Sequence, residues 1–153
     1  MEIVLYEPDI PQNAGTIMRM AACMSVPVHI IEPAGFPVSD RSFRRAGLDY
    51  LDAVKIERHV SFAAFEAWRR ENGRRLVLLT TRAKTAYPAF AFREGDLLMV
   101  GRESAGVPDT VHAAADVSLR IPMREGLRSL NIAVALSMVL GEALRQTGRL
   151  NDA

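Results

Sequence analysis

Apolar residues fall into five short runs along this chain, with stretches of helical spacing between them. The runs cover residues 3–6, 26–31, 75–81, 96–101 and 117–123, and each is rich in β-branched residues or leucine. Hydrophobicity that is continuous rather than alternating is typical of strands covered on both faces, as in a parallel sheet. We therefore predict five strands, with helices packed on both sides of the sheet.

Helical periodicity fills four of the remaining intervals. The predicted helices cover residues 13–24, 61–71, 108–115 and 129–147. Asn13 and Ser61 are the expected caps of the first two, and Pro108 opens the third. Because strands and helices alternate, we predict an α/β fold with a mostly parallel sheet, built as one domain from residues 1–153.

The last predicted helix contains the segment LNIAVALSMVLGEAL, which is apolar on almost every side. Such a helix cannot lie on a solvated surface. It is either enclosed within one subunit, or it places one side on the sheet and another against a second chain. At this chain length the second arrangement is the more economical, so we predict a homodimer.

Charge and composition narrow the possible partners and locations. The chain carries 19 basic and 18 acidic residues, so local patches rather than net charge would have to hold an anionic partner. Cys23 is the only cysteine, which excludes an intrachain disulfide and predicts a small buried residue on the first helix. A signal-peptide pattern is absent, and the longest apolar stretch, 132–140, is too short to cross a bilayer. We expect a cytoplasmic protein with no membrane partner.

Several common catalytic and nucleotide-binding motifs are excluded by the residues at their key positions. GRESAG, residues 101–106, is followed by Val107 and Pro108, where a phosphate-binding loop needs lysine and a hydroxyl residue. No G-x-G-x-x-G follows the first strand. His29, His59 and His112 have no metal-ligand spacing, so we predict strand or surface histidines and no metal cofactor.

Three other stretches follow predicted strands, at the edge where α/β sheets bind ligands. They are PQNAGTIMR after the first strand, GRESAGVP after the fourth and IPMREGLRSLN after the fifth. In the first, Arg19 lies one helical turn beyond Gly15 and Thr16, so these small residues are expected to leave space in front of its guanidinium. Each stretch alone fits an ordinary cap, turn or loop, whereas their joint occurrence indicates a site.

The ordered motifs N-x-G-x-x-x-R, G-x-E-x-x-G-x-P and I-P-M…S-L-N-x-x-x-A resemble those of the SPOUT superfamily of RNA methyltransferases. Within it, the chain is similar to the short tRNA 2′-O-methyltransferases that act on the wobble nucleotide, cytidine or uridine 34. The similarity extends over the whole chain and includes the stretches HIIEPAGF and RRAGLDY. It implies a deep trefoil knot in the carboxyl-terminal part, a homodimer and S-adenosylmethionine as the methyl donor.

The resemblance also assigns roles to individual positions. It places the polar active site at Asn13, Arg19, Glu103 and Asn131. It implies a cofactor cradle lined largely by backbone groups, with members Leu79, Gly101, Ile121, Met123, Ser129 and Leu130. We hypothesise that Arg19, held by Asn13 and Glu103, stabilises a developing alkoxide or fixes a phosphate, because a guanidinium stays protonated and cannot act as a base. Glu103 has an equally supported structural alternative, as an ion-pair anchor for Arg19.

Basic residues near these motifs are candidates for contact with a tRNA anticodon loop. They are Arg41, Arg44, Arg45, Arg82, Lys84, Arg124 and Arg128. For each one alone, a solvated surface role is the competing interpretation. Two functional alternatives stay open at this point: the same chemistry on another RNA, such as rRNA, and a non-catalytic RNA-binding dimer. The retained polar positions argue against the second.

Overall fold

Seven parallel strands form the central sheet of the computed structural model, which describes residues 1–37 and 39–150. The strands are β1 Glu2–Tyr6, β2 Val28–Ile31, β3 Ile56–His59, β4 Leu76–Leu79, β5 Thr85–Ala86, β6 Leu97–Val100 and β7 Val117–Arg120. All five predicted strands are present; β1 is one residue longer than the apolar run that predicted it, and the other four are shorter than theirs. The sequence did not predict β3, a charged edge strand, or the two-residue β5.

Five α-helices connect or follow these strands. They are α1 Pro11–Cys23, α2 Arg41–Gly47, α3 Phe62–Glu71, α4 Asp109–Ala114 and α5 Ile132–Gln146. Ser61 caps α3 as predicted, since its hydroxyl accepts from the Ala64 N–H at 3.1 Å. The predicted Asn13 cap is wrong, because α1 already begins at Pro11, whose fixed φ and missing N–H suit a first helical turn.

The carboxyl-terminal helix begins three residues later than the sequence predicted. Ser129 precedes the helix, and Asn131 is its N-cap, with the side-chain oxygen accepting from the N–H groups of Ala133 at 2.9 Å and Val134 at 3.2 Å. An asparagine that satisfies two free N–H groups defines a helix start better than an upstream serine. The first turn of α5 is thus fixed by a residue that is also a candidate for the active site.

Helices cover both faces of the sheet, as predicted. On one face α1, α2 and α5 pack against residues such as Ile3, Val28 and Leu98. On the other, α3 and α4 contribute Phe65 and Val111 to a second apolar cluster. Because consecutive strand residues point to opposite faces, β1, β2, β4 and β6 each contribute to both clusters, which is why their apolar runs are continuous.

The strand order is β3-β2-β1-β6-β4-β7-β5. Strand β6 lies between β1 and β4, so its neighbours come from early and middle parts of the chain. The carboxyl ends of parallel strands meet at one edge, and a change in strand order there opens a crevice between the loops. The loops after β1, β4, β6 and β7 therefore converge, although more than 100 residues separate the first from the last.

Two smaller expectations from the sequence have different outcomes. Cys23 is exposed in the last turn of α1, so its predicted burial is wrong. The stripe of α1 that faces the sheet instead runs through Ala14, Ile17 and Ala21. Within the described residues, no helix combines the length and apolar character that crossing a bilayer requires.

Candidate active site

A cavity of about 650 Å³ opens at the carboxyl edge of the sheet, between the loops that follow β4, β6 and β7. Its size is within the range of roughly 300 to 1,000 Å³ that is usual for small-molecule sites. All six positions predicted to contact a cofactor line it, together with Glu103 and Asn131 from the polar set. The six are Leu79, Gly101, Ile121, Met123, Ser129 and Leu130.

The loop after β6 closes on itself and forms one wall of this cavity. Arg102 and Gly106 exchange two backbone hydrogen bonds, at 3.0 and 2.8 Å. Gly106 has a φ of +64°, which L side chains rarely adopt. A Cβ added to Gly101 would lie 2.6 Å from the Gly106 carbonyl carbon. The two glycines therefore permit a turn tight enough to place Glu103 at its tip.

Three of the four predicted polar residues form one hydrogen-bonded chain. The Asn131 side-chain amide donates to the Asn13 oxygen at 3.0 Å, and the Asn13 amide in turn donates to the Glu103 carboxylate. These residues come from the first turn of α1, the loop after β6 and the cap of α5. Burial raises the pKa of Glu103, the hydrogen bond from Asn13 opposes this, and the negative charge of Asp9 raises it further.

Asp9, which the sequence analysis missed, holds the Glu103 loop in place. Its carboxylate accepts from the backbone N–H of Glu103 at 3.0 Å and of Ser104 at 3.3 Å, and also from the Ser104 hydroxyl. Burial pushes the pKa of Asp9 upward, but these hydrogen bonds outweigh it and hold the pKa below its usual value. The only signal in the sequence was an acidic residue three positions beyond the end of the first predicted strand.

For the methyl transfer that the sequence resemblance implies, replacing Asp9 with asparagine should lower the rate about tenfold, since hydrogen bonds to a charged acceptor are lost and Glu103 is no longer fixed. Because the pKa of Asp9 is depressed, its contribution is complete above about pH 4 and is lost only as the pH falls below that. Single-turnover rates at pH 6 and 8 should therefore show the same defect. Asp52→Asn, at an exposed position in the turn after α2, is the matched control; equal rates for the two variants would contradict the role of Asp9.

The fourth predicted residue, Arg19, lies away from this polar chain. Its guanidinium packs over the Tyr50 ring, 5.2 Å from the ring centroid. Among the described residues it makes no hydrogen bond or ion pair with Asn13 or Glu103, so the expectation that they hold it is wrong within one subunit. Six residues along a helix separate two side chains by about 9 Å of rise and about 240° of rotation. Arg19 therefore points away from the side of α1 that carries Asn13.

The small residues beside Arg19 also have a different use from the one expected. A Cβ on Gly15 would lie 2.5 Å from the Phe43 oxygen and 2.6 Å from the Ala46 Cβ. The space in front of Gly15 is therefore filled by α2. The resulting close packing of α1 on α2 positions the following turn, Leu48–Asp52, where Tyr50 meets Arg19.

All seven basic residues predicted to contact RNA are exposed, and they occupy three places. Arg41, Arg44 and Arg45 are on α2, Arg82 and Lys84 follow β4, and Arg124 and Arg128 lie in the loop after β7. Arg82 also lines the cavity and pairs with Asp109 at 2.9 Å. Two of the three groups are therefore in the loops around the cavity, and the third is on the helix packed against α1.

Comparison with proteins of known sequence finds a matching family and several similar relatives. The model of the SpoU rRNA Methylase family matches residues 1–141. A tRNA (cytidine(34)-2′-O)-methyltransferase of Beijerinckia indica is 64% identical over 148 residues, covering 97% of this chain and 92% of the relative. The Escherichia coli K12 protein of the same name is 44% identical over 150 residues, covering 97% of this chain and 94% of the relative.

Solved structures give the same result for the fold. One, described as giving structural insights into the 2-OH methylation of C/U34 on tRNA, superimposes with a TM-score of 0.90 at 44% identity, over 95% of this chain and 94% of the other. The SpoU methyltransferase AviRb of Streptomyces viridochromogenes, in complex with the cofactor AdoMet, superimposes with a TM-score of 0.87 at 28% identity, over 95% of this chain and 60% of the other. Together with the cavity and its motifs, these similarities establish that the chain belongs to the SpoU methylase family.

Proposed function

We propose that this protein transfers a methyl group from S-adenosylmethionine to the ribose 2′-hydroxyl of nucleotide 34, a cytidine or uridine, in tRNA. The observation that carries the proposal is the convergence of all six cofactor positions with Glu103 and Asn131 on one cavity. The names of the relatives at 64% and 44% identity support tRNA and nucleotide 34 as the substrate. The similarity to an AdoMet-bound family member supports the donor.

The residues around the cavity suit an adenosine-containing sulfonium compound. Leu79, Ile121 and Met123 offer apolar side chains, and the turn from Gly101 to Gly106 brings backbone groups to the surface of the cavity. Such a lining can enclose a purine without the glycine-rich phosphate loop that the sequence lacks. We propose that no metal takes part in this reaction.

The chain has two tasks in this reaction: it must align the 2′-hydroxyl with the donor, and it must stabilise negative charge as the proton leaves. S-adenosylmethionine, when bound, supplies a methyl group that is already activated on a sulfonium. The hydrogen bonds that join Asn131, Asn13 and Glu103 fix the polar side of the cavity. Arg19 stabilises the developing alkoxide or holds the neighbouring phosphate, and the proton leaves late or to water, since a guanidinium cannot accept it.

We further propose that the working unit is a homodimer in which α5 contributes to the interface. On α5, Val134 is 51% exposed and Met138 is 42% exposed. The Ser137 hydroxyl lies 3.0 Å from the Met20 sulfur, so this face of α5 is continuous with the second half of α1. Apolar side chains exposed together in this way are typical of a surface that another chain covers.

Replacing Met138 with glutamate should weaken the dimer at least tenfold, because a charge would be desolvated in an apolar interface. Sedimentation velocity across a concentration series measures the shift toward monomer. Glu71→Gln, an exposed change on α3 at the other face of the sheet, should leave the dimer intact. A monomeric wild-type protein at micromolar concentration would contradict the dimer.

A dimer also offers a way for Arg19 to reach a reacting ribose. Arg19 directly precedes Met20 in α1 and so lies beside the proposed interface. Glu103 of the same subunit instead contacts Asn13, on a different side of α1. We therefore propose that Arg19 of one subunit serves the cavity of the other. The sites would then be composite, each with the polar chain of one subunit and the guanidinium of its partner.

Mixing two inactive variants tests this arrangement. When Arg19→Lys and Glu103→Gln chains are unfolded and refolded together, half of the dimers should carry both variants, and each of these should contain one intact site. The mixture should therefore regain roughly a quarter of the wild-type methyl transfer. The control is a mixture of the two variants that were refolded separately and are assayed immediately after mixing, before their subunits can exchange. If co-refolding restores nothing, Arg19 acts within its own subunit.

The substrate is bound through the exposed basic residues around the two cavities. Arg124 and Arg128 are in the loop that also lines the cavity, and Arg82 is on the facing loop. Two subunits would combine these patches, which reconciles phosphate binding with a net charge of +1. A wobble nucleotide is already single-stranded and easily unstacked, so a small domain without an RNA-binding extension can reach its ribose.

We propose, in addition, that the carboxyl-terminal part is threaded into a trefoil knot and that the protein works in the cytoplasm, where tRNA is modified. Two features support the threading. The loops after β4 and β7 line the same cavity, and Gln146 of α5 bonds to the Phe90 oxygen at 3.0 Å and the Phe92 N–H at 2.9 Å. These contacts tie the end of α5 to the chain segment that precedes β6.

A transfer assay separates this function from its nearest rival, methylation of rRNA, which the name of the family model favours. Purified protein is incubated with methyl-labelled S-adenosylmethionine and either total tRNA or rRNA, and the labelled nucleoside is identified by mass spectrometry. We expect label on the ribose of a tRNA cytidine or uridine. Label in rRNA alone would favour the rival, label on a base would refute the reaction, and no transfer to either RNA would favour a non-catalytic RNA binder.

A further inference from the structure

Two histidines that are 30 residues apart in the sequence lie against each other beneath α3. His29 is 1% exposed and His59 is 6% exposed. The parallel register pairs His29 of β2 with Glu57 of β3, so both side chains are on the same face, and His59 follows two residues later on that face. The Trp68 ring covers the pair, with its centroid 4.5 Å from that of His29 and 5.5 Å from that of His59.

The nitrogen and oxygen atoms of this cluster are arranged like ligands of one ion. His29 Nδ1 lies 2.9 Å from His59 Nε2 and 3.9 Å from Glu57 Oε2, and all three ligand atoms lie within 4.8 Å of one another. Two Zn–N bonds at a tetrahedral angle would separate their nitrogens by about 3.3 Å. The imidazoles would have to move apart by only about 0.4 Å to admit an ion between them.

A second carboxylate orients the central histidine. Glu2 accepts a hydrogen bond from His29 Nε2 at 2.5 Å and is itself held by Arg74 at 3.1 Å. The proton of His29 is therefore on Nε2, and the lone pair of Nδ1 faces His59. A carboxylate behind a histidine is the usual support of a metal-binding imidazole, because it fixes the tautomer and the ring orientation.

We propose that His29, His59 and Glu57 bind one divalent transition-metal ion, with Zn²⁺ as the expected occupant. Two imidazoles and a carboxylate are donors that Zn²⁺ prefers, and they leave a fourth position for water. On binding, the ion replaces the hydrogen bond between the rings, and His59 carries its proton on Nδ1 instead of Nε2. Both imidazoles stay neutral, so no net proton is released.

The position in the fold gives the ion a way in and a structural role. The Glu57 side chain is 41% exposed on β3, which is an edge strand, so an ion reaches the histidines from that side. Once bound, it would fasten β3 to β2 beneath α3. Among the described residues, none of the three ligands lines the cavity of the candidate active site, so this site is independent of the proposed methyl transfer.

Metal titration of the full-length protein tests the proposal without any measurement of activity. Calorimetry with Zn²⁺ should show one ion per chain. Trp68 is the only tryptophan, so Cu²⁺ at the same site should quench most of the protein's indole fluorescence. A hundredfold excess of Zn²⁺ over its Kd should raise the Tm by roughly 5 to 10 °C.

Glu57→Gln is the decisive variant, because this partly exposed side chain can change without disturbing the core. It should weaken Zn²⁺ and Cu²⁺ binding at least tenfold, whereas Glu71→Gln, an equal charge change on the exposed end of α3, should not. His59→Asn should abolish binding, with circular dichroism as the check of its fold. Absence of saturable Zn²⁺ binding to the wild type, or equal affinity in Glu57→Gln and Glu71→Gln, would overturn the site and show a hydrogen-bonded histidine pair only.

Discussion

Changing Arg19 to lysine should lower the rate of methyl transfer at least a hundredfold while leaving donor binding nearly unchanged. Lysine keeps the positive charge but loses the planar fork of donors that can bind an alkoxide and a phosphate together. Arg19 does not line the cavity, so the Kd for S-adenosylhomocysteine should stay within about twofold of the wild-type value. The measurement is a single-turnover rate at saturating donor and tRNA, paired with calorimetry.

The control for this variant is Arg70→Lys. Arg70 is exposed on α3, at the face of the sheet opposite α1, where its partner is Glu66 at 2.9 Å. The Arg70→Lys variant should transfer the methyl group at the wild-type rate. If Arg19→Lys also kept most of its turnover, charge alone would be sufficient at that position, and the geometric role of the guanidinium would be wrong.

Gly101→Ala should weaken the binding of S-adenosylhomocysteine by about a hundredfold and reduce methyl transfer at least as much. The added Cβ would come within 2.6 Å of the Gly106 carbonyl carbon and 2.8 Å of its oxygen. These atoms are backbone and cannot turn aside, so the loop must open, and displacements of about 1 Å in such a site can cost a hundredfold. Calorimetry with S-adenosylhomocysteine measures the loss of affinity directly.

Gly95→Ala is the matched control for this glycine. Its added Cβ would meet only the Arg74 Nε, at 3.9 Å, which is an ordinary contact. The Tm of both variants should be measured, so that a loss of affinity in Gly101→Ala is not confused with unfolding. If Gly101→Ala bound S-adenosylhomocysteine as tightly as Gly95→Ala, the loop after β6 would be able to adapt to the added Cβ. Its proposed role as a rigid wall of the cavity would then be wrong.

The general architecture could be predicted because it depends on local patterns. Continuous apolar runs require a sheet covered on both faces, and parallel strands place the loops that follow them at one edge. The motifs around Gly101 and Asn131 therefore had to come close together, and both line the cavity. Strand β3 could not be predicted in this way, because an edge strand with Glu57 and Arg58 has no apolar run.

What the sequence could not supply were contacts that depend on the position of whole elements. Helical spacing placed Arg19 and Gly15 on one side of α1, but α2, which lies against that side, was not predicted. Asp9 is 94 residues from Glu103, and its role exists only once two loops have met. The same holds for His29 and His59, whose proximity follows from the register of β2 and β3 rather than from spacing along the chain.

The most direct test of the central claim uses a tRNA that lacks one oxygen atom. A tRNA synthesised with a 2′-deoxyribose at position 34 is compared with the unmodified tRNA and with one that has 2′-deoxyribose at position 35, each incubated with labelled S-adenosylmethionine. We predict one methyl group per molecule on the unmodified and the 35-deoxy tRNA, and none on the 34-deoxy tRNA. Equal methylation of all three would contradict the claim that this protein methylates the ribose of the wobble nucleotide.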